Sequence, residues 1–398
     1  MKIAFALLIM SFLAFSGYHL TFRHFRLPLF ARQFYLTGIE FLFLGLLLGP
    51  RFANLLDIET QKGLAPLSAF LLGWIGLLFG FQFDIKKLRR IPVDYLIAAI
   101  SEGLLTLTLV FFAVYYLLPL FLDIPNPMKI VLSLTLAAAA ACTSQSGLAL
   151  MTPNFKQDGR DTLMLLRHIS NFDAFGSLLV FALAFFFHPA SLSDLSWLKG
   201  LERGTAVSLG ASLGLLILFI LFLSQRRRRS ELILVAIGMT VLMSGMASVL
   251  RFSPLVINFF VGIWLVNLSS EKERIYQILV NLEKPIYLLL LVFLGANLHL
   301  GSLWVAFYAM LYCLTRFAGK FFAGYLMTSI TRGLKGYPRN LGLGLLAQGG
   351  LPFAILVDFQ QGFPCRLSTF IISLAVIGII YNEFLSPLFL NRLLKKAQ

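Results

Sequence analysis

Apolar runs about as long as a bilayer is thick recur along nearly the whole chain. They cover 3–20, 33–50, 64–83, 92–119, 128–151, 163–188, 204–224, 231–249, 254–268, 284–299, 303–327, 339–360 and 367–390. A transmembrane helix needs about 20 such residues, and backbone in lipid must satisfy its polar groups internally. These runs predict an all-α integral membrane protein of about thirteen spans, the ninth and tenth short enough to tilt or re-enter. Composition agrees. Only 13% of the 398 residues are charged, against about 25% in soluble domains, and the 40 phenylalanines suit lipid-facing helices. No long polar segment interrupts the series, so no cytosolic nucleotide-binding domain is expected, at the C-terminal end or elsewhere.

In a soluble chain the net charge of +15 would suggest a nucleic-acid partner, but here the basic residues form short clusters between apolar runs. Odd-numbered loops carry twenty of them: Arg23, Arg26, Arg32, Lys86, Lys87, Arg89, Arg90, Lys156, Arg160, Arg167, Arg226 to Arg229, Lys272, Arg274, Lys284, Arg332, Lys335 and Arg339. Even-numbered loops carry seven: Arg51, Lys62, Lys129, Lys199, Arg203, Arg251 and Arg366. Cytoplasmic loops hold the excess of Lys and Arg. This bias puts the odd loops and the C-terminus, with Arg392, Lys395 and Lys396, inside, and the N-terminus outside the cytoplasmic membrane. One span more or fewer would scramble the alternation. The alternative for the first run is a signal peptide over 1–17, with "AFSG" as its cleavage site.

Two runs are interrupted by small and polar residues. The fifth contains "AAAAACTSQSGLALM" and the twelfth "LGLGLLAQGGLPFAILV". Paired interruptions in corresponding halves point to a transporter binding site, because a broken helix frees carbonyls and amides that can hold an ion. The Ala-rich stretch 137–141 alone fits close helix packing. Thr143–Ser144–Gln145–Ser146 and Gln348–Gly349–Gly350 fit broken helices, the second helped by Pro352, which removes a backbone donor.

Few ionisable residues lie inside the runs: Glu40, Glu102, Asp173, Arg316, Lys320 and Glu383. Asp173, in "RHISNFDAFGSLLVF" at 167–181, has the strongest functional case, since a carboxylate in an apolar span is costly. Burial favours the neutral form of a carboxyl and brings proton exchange towards neutral pH. A carboxylate also binds monovalent cations through oxygen. One group can hold either but not both, and that competition couples two opposed fluxes if the site faces one side at a time.

Arg316 and Lys320 stand four apart and share a helix face. Asp173, Asn171 or the C-terminal end of a half-helix are their candidate partners. Lys320 could instead snorkel to an interface, whereas Arg316 suits a permanent counter-charge. Glu40 and Glu102 would face a cavity or serve a neighbouring helix. Glu383 reads as interfacial, Asp358 as wetted near a span end, and His168 as a solvated loop-end residue. Cys142, Cys313 and Cys365 form neither a CxxC pair nor a disulfide framework. No Ser/His/Asp arrangement, HExxH, P-loop or zinc spacing is present, so neither an enzyme nor a cofactor or metal centre is expected.

Several segments resemble one family in order over nearly the whole chain. "FLFLGLLLGP" at 41–50, "GLLFGFQFDIKKLRR" at 76–90, "FLGANLHLGSL" at 293–303, "TRFAGK" at 315–320 and "LGLLAQGGLPFAIL" at 343–356 are similar to hallmark segments of the monovalent cation:proton antiporters, type 2 branch, with their sodium/hydrogen exchanger-like membrane domain. The resemblance implies an inverted-repeat fold, crossing broken helices in the fifth and twelfth spans, an elevator-like motion and a homodimer. It divides the chain into scaffold helices at 1–91 and 230–301, core transport halves at 92–190 and 302–398, and a linking helix at 191–229. Arg316 matches the family's basic residue better than Lys320 does. Two acids of the family pattern are replaced. Phe172 stands where electrogenic members carry the first of two acids, and Leu351 stands where others carry Glu after Gly-Gly.

The function expected is exchange of Na⁺ or K⁺ for H⁺. Asp173 would be the shared ligand, with Asn171, Thr143, Ser144, Gln348 and Gly349 completing the shell and Arg316 and Lys320 as counter-charges. One carboxylate implies one proton per cation and electroneutral transport. The lost acids motivate a second reading, a non-transporting or regulatory subunit on the same scaffold. A channel-like cation pathway is a third.

Overall fold

The computed structural model describes residues 2–21, 38–120, 124–144, 148, 157–186, 229–250, 252–269, 271–299, 303–334 and 336–396. Among them every regular element is helical. The main helices are α1 (Lys2–Thr21), α2 (Ile39–Leu48), α3 (Ala65–Gly80), α4 (Val93–Leu117), α5 (Asn126–Ala141) and α6 (Gln157–Phe186). They continue as α7 (Arg229–Val249), α8 (Pro254–Leu268), α9 (Lys272–Ala296), α10 (Leu303–Ile330), α11 (Leu351–Gly362) and α12 (Arg366–Lys396). Helical structure lies on every apolar run except 204–224, which falls outside the described residues, as do Gln145, Ser146 and the linking segment up to Arg228.

Local chemistry sets several starts. Proline stands in the first turn of α3, α5, α8 and α11, where its missing N–H costs nothing. Ser253 caps α8, its Oγ accepting from the Val256 amide at 2.9 Å. Boundaries differ from the hydropathy runs where charged residues extend a helix. Helix α9 begins at Lys272, twelve residues before the apolar run, and carries Pro285 inside. Helix α6 begins at Gln157, so His168 is half-buried within a helix beside the Tyr95 ring rather than solvated at a loop end.

The two interruptions are real breaks. Helix α5 stops at Ala141, and Cys142–Ser144 are non-helical. In the twelfth run a short 3₁₀ turn, Leu341–Leu345, precedes five non-helical residues and then α11. Gly349, at φ +67°, takes the left-handed conformation that the second break requires.

Neighbouring helices form two groups. Helices α1, α2, α3, α7, α8 and α9 pack mainly on one another; α4, α5, α6, α10, α11 and α12 do the same. The groups meet where α11 lies against α3, α8 and α9, and where α6 meets α8. In lipid, helices associate through close packing rather than through water exclusion. Small residues supply that closeness here. A Cβ on Gly76 or Gly80 would collide with the backbone carbonyls of Leu255 and Phe259 on α8. Where the groups meet, Phe83, Phe172, Phe175 and Phe259 interlock with ring centroids 5.1–6.5 Å apart.

Candidate functional site

The polar centre lies where the breaks touch. The Ser144 amide donates to the Ala347 carbonyl at 2.7 Å, joining one interruption to the other by backbone. Each break ends a helical segment and leaves carbonyls without an intrahelical partner. Arg316, on α10 and fully buried, takes four of them. Its Nε donates to Ala140 O (2.7 Å), one terminal nitrogen to Leu346 O (2.8 Å), and the other to Cys142 O (3.0 Å) and Leu345 O (3.1 Å). A guanidinium has five donors in a fixed fork and keeps its charge. It therefore seals the carbonyl ends of both segments at once, where the helix dipole favours a cation. Of the partners expected for it, the half-helix end is the one it meets.

Lys320 lies one turn further along α10 and is also fully buried, so it does not snorkel. Its Nζ reaches Ala141 O (2.9 Å), Thr143 Oγ1 (3.1 Å), Asp173 Oδ2 (3.0 Å) and Glu102 Oε1 (2.9 Å). The lysine, not the arginine, is therefore the direct partner of Asp173. The Thr143 hydroxyl donates to the same Oδ2 at 2.6 Å. Among the described residues, Asp173 Oδ1 is buried without a hydrogen-bond partner. It lies against α4, where a Cβ on Gly103 would stand 3.4 Å away.

Glu383 is neither interfacial nor idle. It is 5% exposed, and its Oε1 accepts from the amides of Gln348 (2.8 Å) and Gly349 (2.9 Å). A carboxylate at the amide end of a helix is stabilising, so Glu383 on α12 serves α11 from outside it. Gln348 stitches the breaks together. Its Nε2 donates to Ala139 O at 2.9 Å, and its Oε1 accepts from Asn382 at 3.3 Å. Asn171 is half-buried on α6, two residues before Asp173. Ser144 is buried beside Gly349, whose Cβ position it would crowd. Asp358 is buried rather than wetted. Its carboxylate accepts from the Ser253 hydroxyl and, at 3.2 Å, from the Leu255 amide, tying α11 to the start of α8.

The sodium/hydrogen exchanger transmembrane family model matches residues 9–396. The chain belongs to the sodium/hydrogen exchanger family. Its fold is also that of the sodium proton antiporter MjNhaP1 from Methanocaldococcus jannaschii, with a TM-score of 0.69 over 99% of this chain and 100% of that one at 15% identity. No curated protein matches the sequence. Family and fold are those of a multi-pass membrane transporter and not of an enzyme. Six stretches among the described residues are long and apolar enough to cross a bilayer: Ala65–Leu88, Val93–Leu120, Thr162–Phe185, Glu231–Val249, Lys272–Ala296 and Leu367–Leu394.

Two further buried carboxylates lie in the same centre. Phe172 faces Phe83 at the boundary between the helix groups, and the second carboxylate at the centre comes from Glu102 on α4. Leu351 opens α11, and the acid near its amides comes from Glu383 on α12. Sequence reading named Glu102 and Glu383 but left them peripheral.

Proposed function

We propose that the protein exchanges a monovalent cation, Na⁺ or K⁺, for H⁺ across the cytoplasmic membrane, with Asp173 as the shared site. The observation that carries this reading is the state of its carboxylate. Oδ2 is held by Thr143 and Lys320, while Oδ1 is buried against α4 with no hydrogen-bond partner among the described residues. An unpaired buried oxygen costs about 1–3 kcal/mol, so a proton or a cation there removes a real penalty. Either one excludes the other, one for one, which makes transport electroneutral. Thr143 and Ser144, with backbone near Gln348 and Gly349, border the same space, and Asn171 orients the segment from α6.

Alternating access follows if the group containing α4, α5, α6, α10, α11 and α12 moves as one body against the other. The centre lies wholly within that group. The basic bias of the odd loops supports a cytoplasmic C-terminus and an external N-terminus. The first group, with the linking segment, would then be the scaffold on which two copies pair. Glu102 and Glu383 make up for the replaced acids, which removes the motive for a non-transporting subunit.

Purified protein in liposomes with an interior pH dye tests the proposal. Addition of Na⁺ or K⁺ should move protons in the wild type and not in Asp173→Asn. Silence with Na⁺, K⁺ and Li⁺ would overturn it. A current that tracks transport under voltage clamp would overturn the stoichiometry.

A further inference from the structure

We infer that Glu102 is the second carboxylate of the cation site, supplying from α4 the negative charge that Lys320 removes from Asp173. This rests on the antiport reading above and adds a residue to it.

The geometry is specific. Glu102 and Asp173 share one ammonium, at 2.9 and 3.0 Å, and all three side chains are fully buried. Thr106, one turn along α4, donates to Glu102 Oε1 at 3.1 Å, so Oε1 has two donors and is fixed. Among the described residues, Oε2 has none, and Asp173 Oδ1 has none. These two orphan oxygens belong to carboxylates that both contact the Lys320 ammonium. Thr143, Thr106 and Lys320 thus hold one oxygen of each carboxylate and leave the other oxygen of each for a ligand. Ser170 and Ser177, three residues before and four after Asp173 on α6, add two more buried hydroxyls without partners among the described residues; that spacing puts them on its helix face.

Charge counting explains why a second acid is needed. Asp173 with Lys320 alone sums to zero, and a cation arriving there would have to displace the ammonium or its proton. With Glu102 the trio sums to −1. One monovalent cation, or one proton, then brings the buried site to neutrality while Lys320 keeps its charge and its four partners. Burying net charge is strongly unfavourable, so the site accepts one of the two ligands and resists holding neither or both. A divalent cation would leave it at +1 and is disfavoured.

The test compares wild type, Asp173→Asn, Glu102→Gln, Glu102→Asp and the double variant Glu102→Gln/Lys320→Gln. Cation-driven proton movement is read in liposomes. Stabilisation of the detergent-purified protein by Na⁺, K⁺ or Li⁺ is read separately by its unfolding temperature. Glu102→Gln should lose about tenfold or more in apparent cation affinity, as expected when a charged ligand becomes neutral. Glu102→Asp should keep exchange with a higher apparent KM. The double variant restores a net charge of −1 and should recover both exchange and cation stabilisation. If Glu102→Gln behaves as wild type while Asp173→Asn is silent, Glu102 is not a ligand and the antiport reading stands without it. If the double variant, eluting as a folded species, stays as silent as Glu102→Gln, the charge-balance argument is wrong. Silence of the wild type with every cation overturns both.

Discussion

The two helix breaks meet at one backbone hydrogen bond, yet their surroundings differ in kind. Around the second break the side-chain partners are complementary. Glu383 takes the Gln348 and Gly349 amides, and Gln348 spends its amide on Ala139 and Asn382. Beside the first break, Asp173 Oδ1 and Glu102 Oε2 are buried with no hydrogen-bond partner among the described residues. Arg316 serves both breaks through carbonyls alone and offers the site no titratable partner of its own. The difference teaches that a broken helix is not itself a binding site. One break is a completed joint, and the other keeps an unsatisfied pair of oxygens that a ligand can fill.

Breaking the joint should cost more than altering the site. Arg316→Ala strips donors from four buried carbonyls, each worth about 1–3 kcal/mol when orphaned. We expect little monodisperse protein on gel filtration, with Arg316→Lys intermediate because an ammonium has three donors and no fork. Gly349→Ala comes next. A left-handed alanine costs about 1–2 kcal/mol, and its Cβ would also stand 2.8 Å from Ser144 Oγ. The unfolding temperature should fall with Asp173 still intact. Glu383→Gln should keep the fold, since an amide oxygen still accepts from both backbone amides. It should slow exchange only several-fold, the size of a lost charge–dipole interaction of about 1 kcal/mol. Asp173→Asn should reverse that pattern, with normal thermal stability and no exchange. If Glu383→Gln abolishes exchange as fully as Asp173→Asn, the contrast between the breaks collapses.

The smallest effect lies outside the membrane helices. Asp57 caps the short helix Ile58–Gly63 through the Thr60 amide at 2.8 Å and pairs with Lys2. Lys2 and Thr60 hold its carboxyl below the usual range. A lowered folded-state pKa gives stability that is present above the unfolded value, about 3.9, and lost as pH falls through the folded one. Asp57→Asn should lower the unfolding temperature at pH 7 by no more than about 2 °C. The gap to wild type should narrow in acid.

Much of the architecture was legible because hydropathy in a bilayer is a strong constraint: the runs, the breaks at Thr143 and Gln348, and an all-helical chain follow from lipid solvation alone. Helix limits were less legible. Lys272 to Lys284 carry charges that read as loop, yet they form the first turns of α9. Asp173 announced itself by rarity, but its partners did not. Glu102 lies 71 residues before it and Lys320 147 after it, and hydropathy carries no information about which distant charges share a pocket. Arg316 and Lys320, alike in sequence, part company because one turn of helix aims one at carbonyls and the other at carboxylates.

Proton release on cation binding tests the central claim most directly. Purified protein in weak buffer, set near the pH of half-maximal exchange, would be titrated with Na⁺ or K⁺ while pH is followed. Competition for one site predicts that a bound cation ejects a proton, and that Asp173→Asn neither binds nor ejects. A cation that binds without releasing protons, or release that persists in Asp173→Asn, would contradict the account.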